Sequence, residues 1–268
     1  MRESERVVAE CPQDRLDMLE LYDADPERVD VIPCGFDPDE IAPIDRAVAR
    51  ERLGWPRDEF IVLQLGRMVP RKGVENVIRA VAALKRRRVK AQLYIVGGST
   101  DVADPVATPE IGRLMRVAQA QDVCERVHFV GRRGRDELPV HYAACDVFVT
   151  TPWYEPFGIT PVEAMACARA VIGSEVGGIK ATVVDGDTGF LVPPEDPQAL
   201  AEKLALLKKN PALARRLGDA GYARARRSYT WRRVVRALTA CYARVIAPER
   251  REAMLRRAPP PFALDARS

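Results

Sequence analysis

Apolar residues come along this chain in short unbroken runs, with longer amphipathic stretches between them. Phe60–Gly66 (FIVLQLG), Gln92–Gly98 (QLYIVGG), Val127–Gly131, Asp146–Thr150, Ala170–Gly173 and Gly189–Val192 each read as a strand. Runs of this kind, with no polar alternation, are the signature of strands covered on both faces. The stretch 74–88 sets Val77, Ile78, Val81 and Leu84 on one side of a helix. Helices are also predicted over 110–121, 136–145 and 162–168, with a helical turn over 179–184. Ahead of this block, 7–21 reads as a helix with Leu16, Leu19 and Leu21 at loosely helical spacing. Asp25-Pro26-Glu27 reads as a turn, 28–33 as a strand, 34–40 as a turn-rich connector and 42–53 as a short polar helix. Asp196-Pro197 opens a run of three helices, 197–208, 211–227 and 230–246. The stretch Arg256–Pro261 is proline-rich and reads as disordered.

Short buried strands joined by helical crossovers give a parallel sheet with helices on both faces. The expected fold class is therefore α/β, a Rossmann-like doubly wound sheet. No internal repeat of fixed period is visible. There is no Gly-x-Gly-x-x-Gly after a strand and no Gly-x-x-x-x-Gly-Lys-Ser/Thr, which argues against a dinucleotide binder and a P-loop enzyme.

Composition changes this picture little. The chain is 47% hydrophobic and 30% charged, as soluble globular domains are. No run of about 18 apolar residues suggests a transmembrane helix, and Met1-Arg2-Glu3-Ser4-Glu5-Arg6 is not followed by the apolar core of a signal peptide. The six cysteines are scattered without a CxxC pair and read as reduced thiols of a cytoplasmic protein, not as a disulfide frame or a metal site. His128 and His141 lie away from the candidate chemistry and read as packing residues. Charge is uneven: between Lys203 and Arg257 there are sixteen Lys and Arg against three acids, while the whole chain is at +4. Such a basic helical end could meet the inner face of a membrane, or be a plain solvated face; no nucleic-acid partner is expected.

The candidate chemistry gathers at the carboxyl ends of the strands, where ligands bind in open parallel sheets. After the 60–66 run comes Gly66-Arg67-Met68-Val69-Pro70-Arg71-Lys72-Gly73, with cations beside glycines. Arg67 can hold phosphate oxygens bidentately and Lys72 supplies a mobile point charge. After the 146–150 run comes Glu155-Pro156-Phe157-Gly158-Ile159-Thr160-Pro161-Val162-Glu163. Glu155 falls on the loop, Glu163 in the first turns of a helix, and the free N–H groups between them suit a phosphate. Two carboxylates suit the vicinal hydroxyls of a sugar and a ribose, and the cations suit the diphosphate between them. The plain alternative is a strand–turn–helix with Pro161 at the helix start and two solvated glutamates.

Glu155 to Ala166, in the form Glu-Pro-Phe-Gly-Ile-Thr-Pro-Val-Glu-Ala-Met-Ala, closely resembles the hallmark of family 4 retaining glycosyltransferases, which have the two-Rossmann-domain GT-B fold. Four further stretches agree in order: Gly66-Arg67-x₄-Lys72-Gly73, Ala144–Val149, Val176-Gly177-Gly178-Ile179 and Asp185–Pro194. The resemblance covers residues from about 7 to 246. It implies a metal-independent transfer with no cofactor, in which a UDP-, GDP- or ADP-sugar is the donor substrate and the acceptor is unknown. Arg67 and Lys72 would neutralise the leaving diphosphate, Gly66 would lie beside them in the donor site, and Glu155 would hold hydroxyls of the donor hexose. The N–H groups of Phe157, Gly158, Ile159 and Thr160, behind Pro156, would meet the sugar and distal phosphate. Glu163 would bind the ribose, and the turn at Gly131 and Arg132 would lie beside the base. Attack from the front face, with the leaving phosphate taking the acceptor's proton, means that the two glutamates are not an acid/base pair. Lys180 departs from the Pro-Glu that many members carry after the Gly-Gly-Ile stretch.

The resemblance also divides the chain. Residues 1–36 look like the last helix–strand unit of an N-terminal Rossmann domain, 37–58 like a linker and 59–229 like the nucleotide-sugar-binding domain. Residues 230–247 look like a helix crossing back onto the first unit, and 248–268 like a disordered tail. Most of the acceptor-binding domain would then be absent, as in a truncated form, a gene fragment or one subunit of a split enzyme that meets that domain in trans. An exposed apolar face is expected around Val29, Val31 and Ile32. A non-catalytic nucleotide-sugar-binding module is the competing expectation.

Overall fold

The computed structural model describes residues 3–246. Its strands form two sheets. The larger contains β3 (Ile61–Leu65), β4 (Gln92–Val96), β5 (Val127–Gly131), β6 (Val147–Thr150), β7 (Ala170–Ser174) and β8 (Gly189–Val192), all parallel. Their spatial order is β5-β4-β3-β6-β7-β8. The chain enters at the middle strand, steps outward to β5, crosses back to the other side of β3 and steps outward to β8. Connections from β3 and β6 thus leave in opposite directions, which opens a crevice at their carboxyl ends.

Both sheet faces are covered, which is why the strands read as unbroken apolar runs. On one face α3 (Val74–Arg86), α4 (Pro109–Ala120) and α8 (Pro197–Lys209) bury Val77, Val81, Leu114 and Leu204 against Val62, Leu93 and Ile172. On the other, α5 (Leu138–Ala144), α6 (Ile159–Ala166) and α9 (Pro211–Ser228) bury Tyr142, Met165 and Ala225 against Leu63 and Phe148. Burying each such side chain is worth about 1.5–3 kcal/mol.

The stretch read as a linker is built into this unit. Ile41, Ala49 and Trp55 are buried in the second cluster, and the ring of Trp55 stacks on Tyr94 at 3.8 Å. Asp45 caps α2 (Arg46–Leu53) through the N–H groups of Ala47 and Val48. The buried Arg50 donates from Nε to the Ala144 carbonyl at 2.9 Å and from Nη2 to Asp146 Oδ2 at 2.7 Å. The same oxygen accepts from the Ile61 N–H at 2.7 Å, so one carboxylate fastens α2 to the starts of β3 and β6.

The first unit corrects two expectations. The predicted helix over 7–21 begins too early: Val7–Ala9 is a strand, β1, and the helix α1 runs over Pro12–Tyr22. Cys11 takes the extended N-cap conformation with Sγ accepting from the Asp14 N–H, and Pro12 sits in the first turn, where its missing N–H costs nothing. The β-branched Val7 and Val8 pair in parallel with β2 (Val29–Val31), so the helix–strand unit is a β–α–β unit. Nor do Val29 and Ile32 present an open face. Val29 is buried with Ala9 and Ala24, Val31 packs against that group, and Ile32 is covered by Val234 and Cys241 of α10 (Trp231–Val245). The apolar exposure lies instead on Leu21 and Tyr22 of α1 and on Val235 and Tyr242 of α10.

Two stretches of chain join this small unit to the large one, and they run side by side. The Phe36 N–H donates to the Tyr229 carbonyl at 2.8 Å and the Trp231 N–H returns to the Phe36 carbonyl at 3.0 Å. His141 is buried, with Nδ1 2.7 Å from the Glu137 carbonyl, and burial holds its pKa down. His128 stacks on Tyr94 at 4.6 Å. The six cysteines are unpaired, four of them buried. No helix among the described residues is long and apolar enough to cross a membrane. The proline-rich stretch 256–261 lies outside the described residues.

Candidate functional site

The crevice between β3 and β6 is lined by two loops fastened to each other. After β3, residues Pro70–Lys72 make one tight turn that ends at Gly73, with φ 64°. A side chain there would be impossible without movement, because a Cβ on Gly73 would stand 1.9 Å from the Thr151 carbonyl oxygen. Thr151 Oγ1 donates to the Gly73 carbonyl at 3.0 Å. The Trp153 N–H donates to the Arg71 carbonyl at 3.2 Å, and Arg71 Nη1 to the Tyr154 carbonyl at 2.9 Å.

This fastening brings Lys72 Nζ into a hydrogen-bonded ion pair with Glu155 Oε2, both side chains being largely buried. Arg71 stands 3.8 Å from the same carboxylate oxygen. From behind, the Gly178 N–H donates to the Glu155 carbonyl at 3.0 Å. A Cβ on Gly177 would lie 2.1 Å from that oxygen, so α7 (Ile179–Thr182) and its glycines are pressed onto the loop. Phe157 is buried edge-on to Tyr229 at 5.8 Å and anchors the loop's far side. Gly158, at φ 86°, then opens α6, and no side chain caps that helix start. The first N–H groups of an α-helix have no partner within the helix. Those of Ile159 and Thr160 are among them.

Arg67 is exposed on the same β3 loop with no ion-pair partner among the described residues. Glu163 sits one turn into α6 and is buried, accepting from the Tyr142 hydroxyl at 2.8 Å. Burial pushes its carboxyl above the ordinary glutamate range, opposed by that hydroxyl and by the charge of Arg135. Gly131 ends β5, its carbonyl accepting from the Gly97 N–H at 2.9 Å, and the Arg132 N–H donates to Thr100 at 2.8 Å. The Arg132 side chain is exposed, 3.4 Å from Asp101. Lys72 and Glu155 thus touch, Arg67 lies on the same β3 loop, and Gly131 and Arg132 follow the edge strand β5 of the same sheet. Among the described residues, no group of three or more His, Cys, Asp or Glu could hold a metal ion.

The sequence profile described as Glycosyl transferases group 1 matches residues 45–224. The chain belongs to this family. A D-inositol 3-phosphate glycosyltransferase from Streptomyces bingchenggensis is 35% identical over 253 residues, which cover 92% of this chain and 54% of that protein. The sucrose-phosphate synthase structure from Thermosynechococcus elongatus superposes with a TM-score of 0.82 at 35% identity, over 91% of this chain and 59% of that one. The Anabaena HepE structure in complex with UDP-glucose superposes with a TM-score of 0.74 at 26% identity, over 87% of this chain and 61% of that one. The chain spans little more than half the length of the curated relatives it matches.

In this group 1 glycosyl transferase chain the structure also adds residues that the sequence reading passed over. Arg71, one of three cations on the β3 loop, both ties the loops together and reaches Glu155. Tyr142, the partner of Glu163, gives no signal at all, because the pair depends on how α5 packs on α6. Cys11 Sγ donates to the Pro156 carbonyl at 3.2 Å, so the small unit touches the motif loop. Lys180 Nζ donates to Gln13 Oε1 at 3.4 Å, which gives that departure from the family pattern a place at the same contact.

The state of Glu163 can be tested without ligand. Its folded pKa is raised, so across the window from the ordinary glutamate value up to the folded one the unfolded chain gives up its proton first. The folded state then binds more protons, and stability falls as pH rises. Urea unfolding of the wild type and Glu163→Gln between pH 4 and 8 should show the wild type losing ground to the variant through that window. Each pH unit is worth about 1.4 kcal/mol at full effect. Parallel curves would mean that the carboxyl is not held in this environment.

Proposed function

We propose that this chain is the donor-binding half of a retaining, metal-independent glycosyltransferase that moves a hexose from a nucleotide-diphosphate sugar to an acceptor. The observation that carries the reading is the Lys72–Glu155 pair in the β3/β6 crevice, beside the uncapped start of α6. Arg67 and Lys72 neutralise the diphosphate as the glycosidic bond breaks, a charge stabilisation that grows towards the transition state. These two cations fill the role that a metal ion plays elsewhere, and no cofactor is needed. Lys72 leaves Glu155 for the phosphate when donor arrives, and Glu155 then accepts from hydroxyls of the hexose. N–H groups at the start of α6 hold the distal phosphate. Glu163 keeps one oxygen on Tyr142 and offers the carboxyl to the ribose. The base lies by Gly131 and Arg132. Neighbouring strands are about 4.8 Å apart, so β5 to β6 spans about 14 Å across three strand spacings, the reach of an extended nucleotide-sugar. The complex of HepE with UDP-glucose supports a donor of this class.

The acceptor is held by a second Rossmann unit, in cis or in trans. The second reading is a nucleotide-sugar-binding module that does not itself transfer. Transfer from UDP-, GDP- and ADP-hexoses should be assayed with and without an N-terminal half from the Streptomyces relative. Donor-dependent product only when both are present is the expected result. Nucleotide-sugar binding with no transfer in any arm would favour the module.

A peripheral membrane contact is part of the proposal. Trp231, Val235 and Tyr242 form an exposed apolar stripe on α10, flanked by Arg232, Arg233 and Arg236. Burial and the neighbouring Arg232 and Arg233 lower the pKa of Arg236. Vesicles rich in phosphatidylglycerol should sediment the chain and phosphatidylcholine vesicles should not; equal binding to both, or none, would remove the contact.

A further inference from the structure

The loop that carries Glu155 is held from two sides. In front, Lys72 and Arg71 hold the carboxylate itself. That hold is electrostatic, and in the reading above Lys72 gives it up to the phosphate when donor arrives. The carboxylate then depends on what supports its backbone from behind.

Behind the loop stands α7, and no side chain separates the two. A Cβ on Gly178 would fall 2.4 Å from the Phe157 Cα and from its carbonyl oxygen. The Gly178 N–H donates to the Glu155 carbonyl at 3.0 Å. Backbone packed on backbone leaves no side chain to give way, so a shift of α7 is a shift of Glu155. Yet α7 is a single turn, Ile179–Thr182. A helix of that length does not hold its shape alone in water, and its last carbonyls have no partners within it.

Two residues at the end of α9 meet those carbonyls. Arg224 donates from Nη2 to the Ala181 carbonyl at 2.7 Å and from Nε to the Thr182 carbonyl at 3.1 Å. The Tyr229 hydroxyl donates to the Ala181 carbonyl at 3.1 Å. A cation suits the carbonyl end of a helix, and the planar guanidinium fixes two carbonyls in one geometry. Among the described residues the polar partners of Arg224 are these two carbonyls and the Tyr229 hydroxyl. A side chain that elsewhere neutralises a carboxylate is here given over to α7. Tyr229 is fixed in its turn. It is 4% exposed, its ring meets Phe157 edge-on, and its carbonyl accepts from the Phe36 N–H. It therefore touches both α7 and the loop that α7 supports.

We propose that Arg224 and Tyr229 are positioning residues for the donor site: they hold the carbonyl end of α7, and through the glycines of α7 they set the backbone of Glu155. The assignment rests on the role given to Glu155 above. Neither side chain is assigned a contact with the donor. Their effect falls on the hexose more than on the diphosphate, whose cations lie on the β3 loop.

The test is amide hydrogen exchange, followed by NMR, on the 268-residue chain and on its Arg224→Met, Arg224→Lys and Tyr229→Phe variants. Methionine keeps an aliphatic stem and phenylalanine keeps the ring on Phe157, so only the polar hold on α7 is removed. Exchange at Gly178 should quicken about tenfold in Arg224→Met, which loses charged hydrogen bonds, and about fivefold in Tyr229→Phe, which loses a neutral one. The amides of β3 and β4 should keep their wild-type rates. Arg224→Lys, which retains the charge, should fall between the wild type and Arg224→Met. Unchanged exchange at Gly178 in both Arg224→Met and Tyr229→Phe would overturn the proposal by detaching α7 from these side chains. An equal rise at Gly178 and throughout β3 and β4 would overturn it by making them general packing residues. Titration calorimetry with UDP, GDP and ADP, and with their glucose conjugates, adds a readout that stability alone would not move. In Arg224→Met and Tyr229→Phe the glucose conjugate should lose about fivefold more affinity than the free diphosphate, the worth of one hydroxyl contact. Equal losses would overturn the link to Glu155. If the wild type binds none of these ligands, the donor reading fails, and the exchange rates still decide the hold on α7.

Discussion

Glu155→Ala should abolish sugar transfer while leaving nucleotide affinity intact or somewhat raised. In the unliganded chain Lys72 is committed to Glu155, and Arg71 stands 3.8 Å from the same oxygen. Removing the carboxylate releases a largely buried ammonium group that is then free to pair with a phosphate. Arg67→Ala should act in the opposite sense. Among the described residues Arg67 has no partner to release, and a hydrogen bond to a charged group contributes about 1.5–3 kcal/mol. A loss at the low end of that range is about tenfold in affinity. Isothermal titration with UDP, GDP and ADP reads both effects on one scale, and a transfer assay with the acceptor half present reads the catalytic loss. Equal weakening of nucleotide binding in the two variants would contradict the division of labour between hexose and diphosphate. Transfer surviving in Glu155→Ala would remove the carboxylate from the hexose altogether.

Gly73→Ala should be among the most destabilising single-methyl additions available in the chain. The residue sits at φ 64°, where an L side chain costs about 1–2 kcal/mol. The added Cβ would also fall 1.9 Å from the Thr151 carbonyl oxygen, which is backbone and cannot rotate aside. Overpacking of that kind adds about 1–3 kcal/mol, for a total of about 2–5 kcal/mol. Gly54 provides the control. It has nearly the same backbone, φ 65°, but a Cβ there meets nothing within 4 Å, so Gly54→Ala should show the conformational cost alone. Urea unfolding of the two variants separates steric from conformational cost. A Gly73→Ala chain no less stable than Gly54→Ala would mean that the β3 and β6 loops are not held as tightly as their hydrogen bonds imply. In the folded fraction of Gly73→Ala, the loops are pushed apart and Lys72 no longer meets Glu155, so nucleotide binding should fall as well.

The parts of this chain that were legible in advance share one property: their partners are dictated by the element's own pattern. The six strands of the large sheet read correctly because both faces are buried, and a residue run records that directly. The rim position of Arg67, Lys72 and Glu155 followed from it, since residues just past parallel strands must share an edge. What escaped depends on contacts that no local pattern carries. Val7–Ala9 is three residues long and pairs with a strand twenty residues later, and beside the periodic stretch that follows it was absorbed into the helix. Ile32 is covered by a helix two hundred residues further on, so its exposure could not be judged from its neighbours. The Tyr142–Glu163 bond exists because α5 lies against α6, and it turns a glutamate read as an accessible ribose ligand into a buried one with a raised pKa.

The side-by-side crossing at Phe36 has a mechanical consequence. Because Phe36 exchanges hydrogen bonds with Tyr229 and Trp231, the two links between the units bend as one ribbon, and the small unit has a single pivot. Swinging about it trades the Cys11–Pro156 and Lys180–Gln13 hydrogen bonds for water while the ladder at Phe36 stays whole. The contact of the β–α–β unit with the motif loop and α7 thus rests on a thiol and a carboxamide, each worth far less than an ion pair, and the Lys72–Glu155 pair has no part in it.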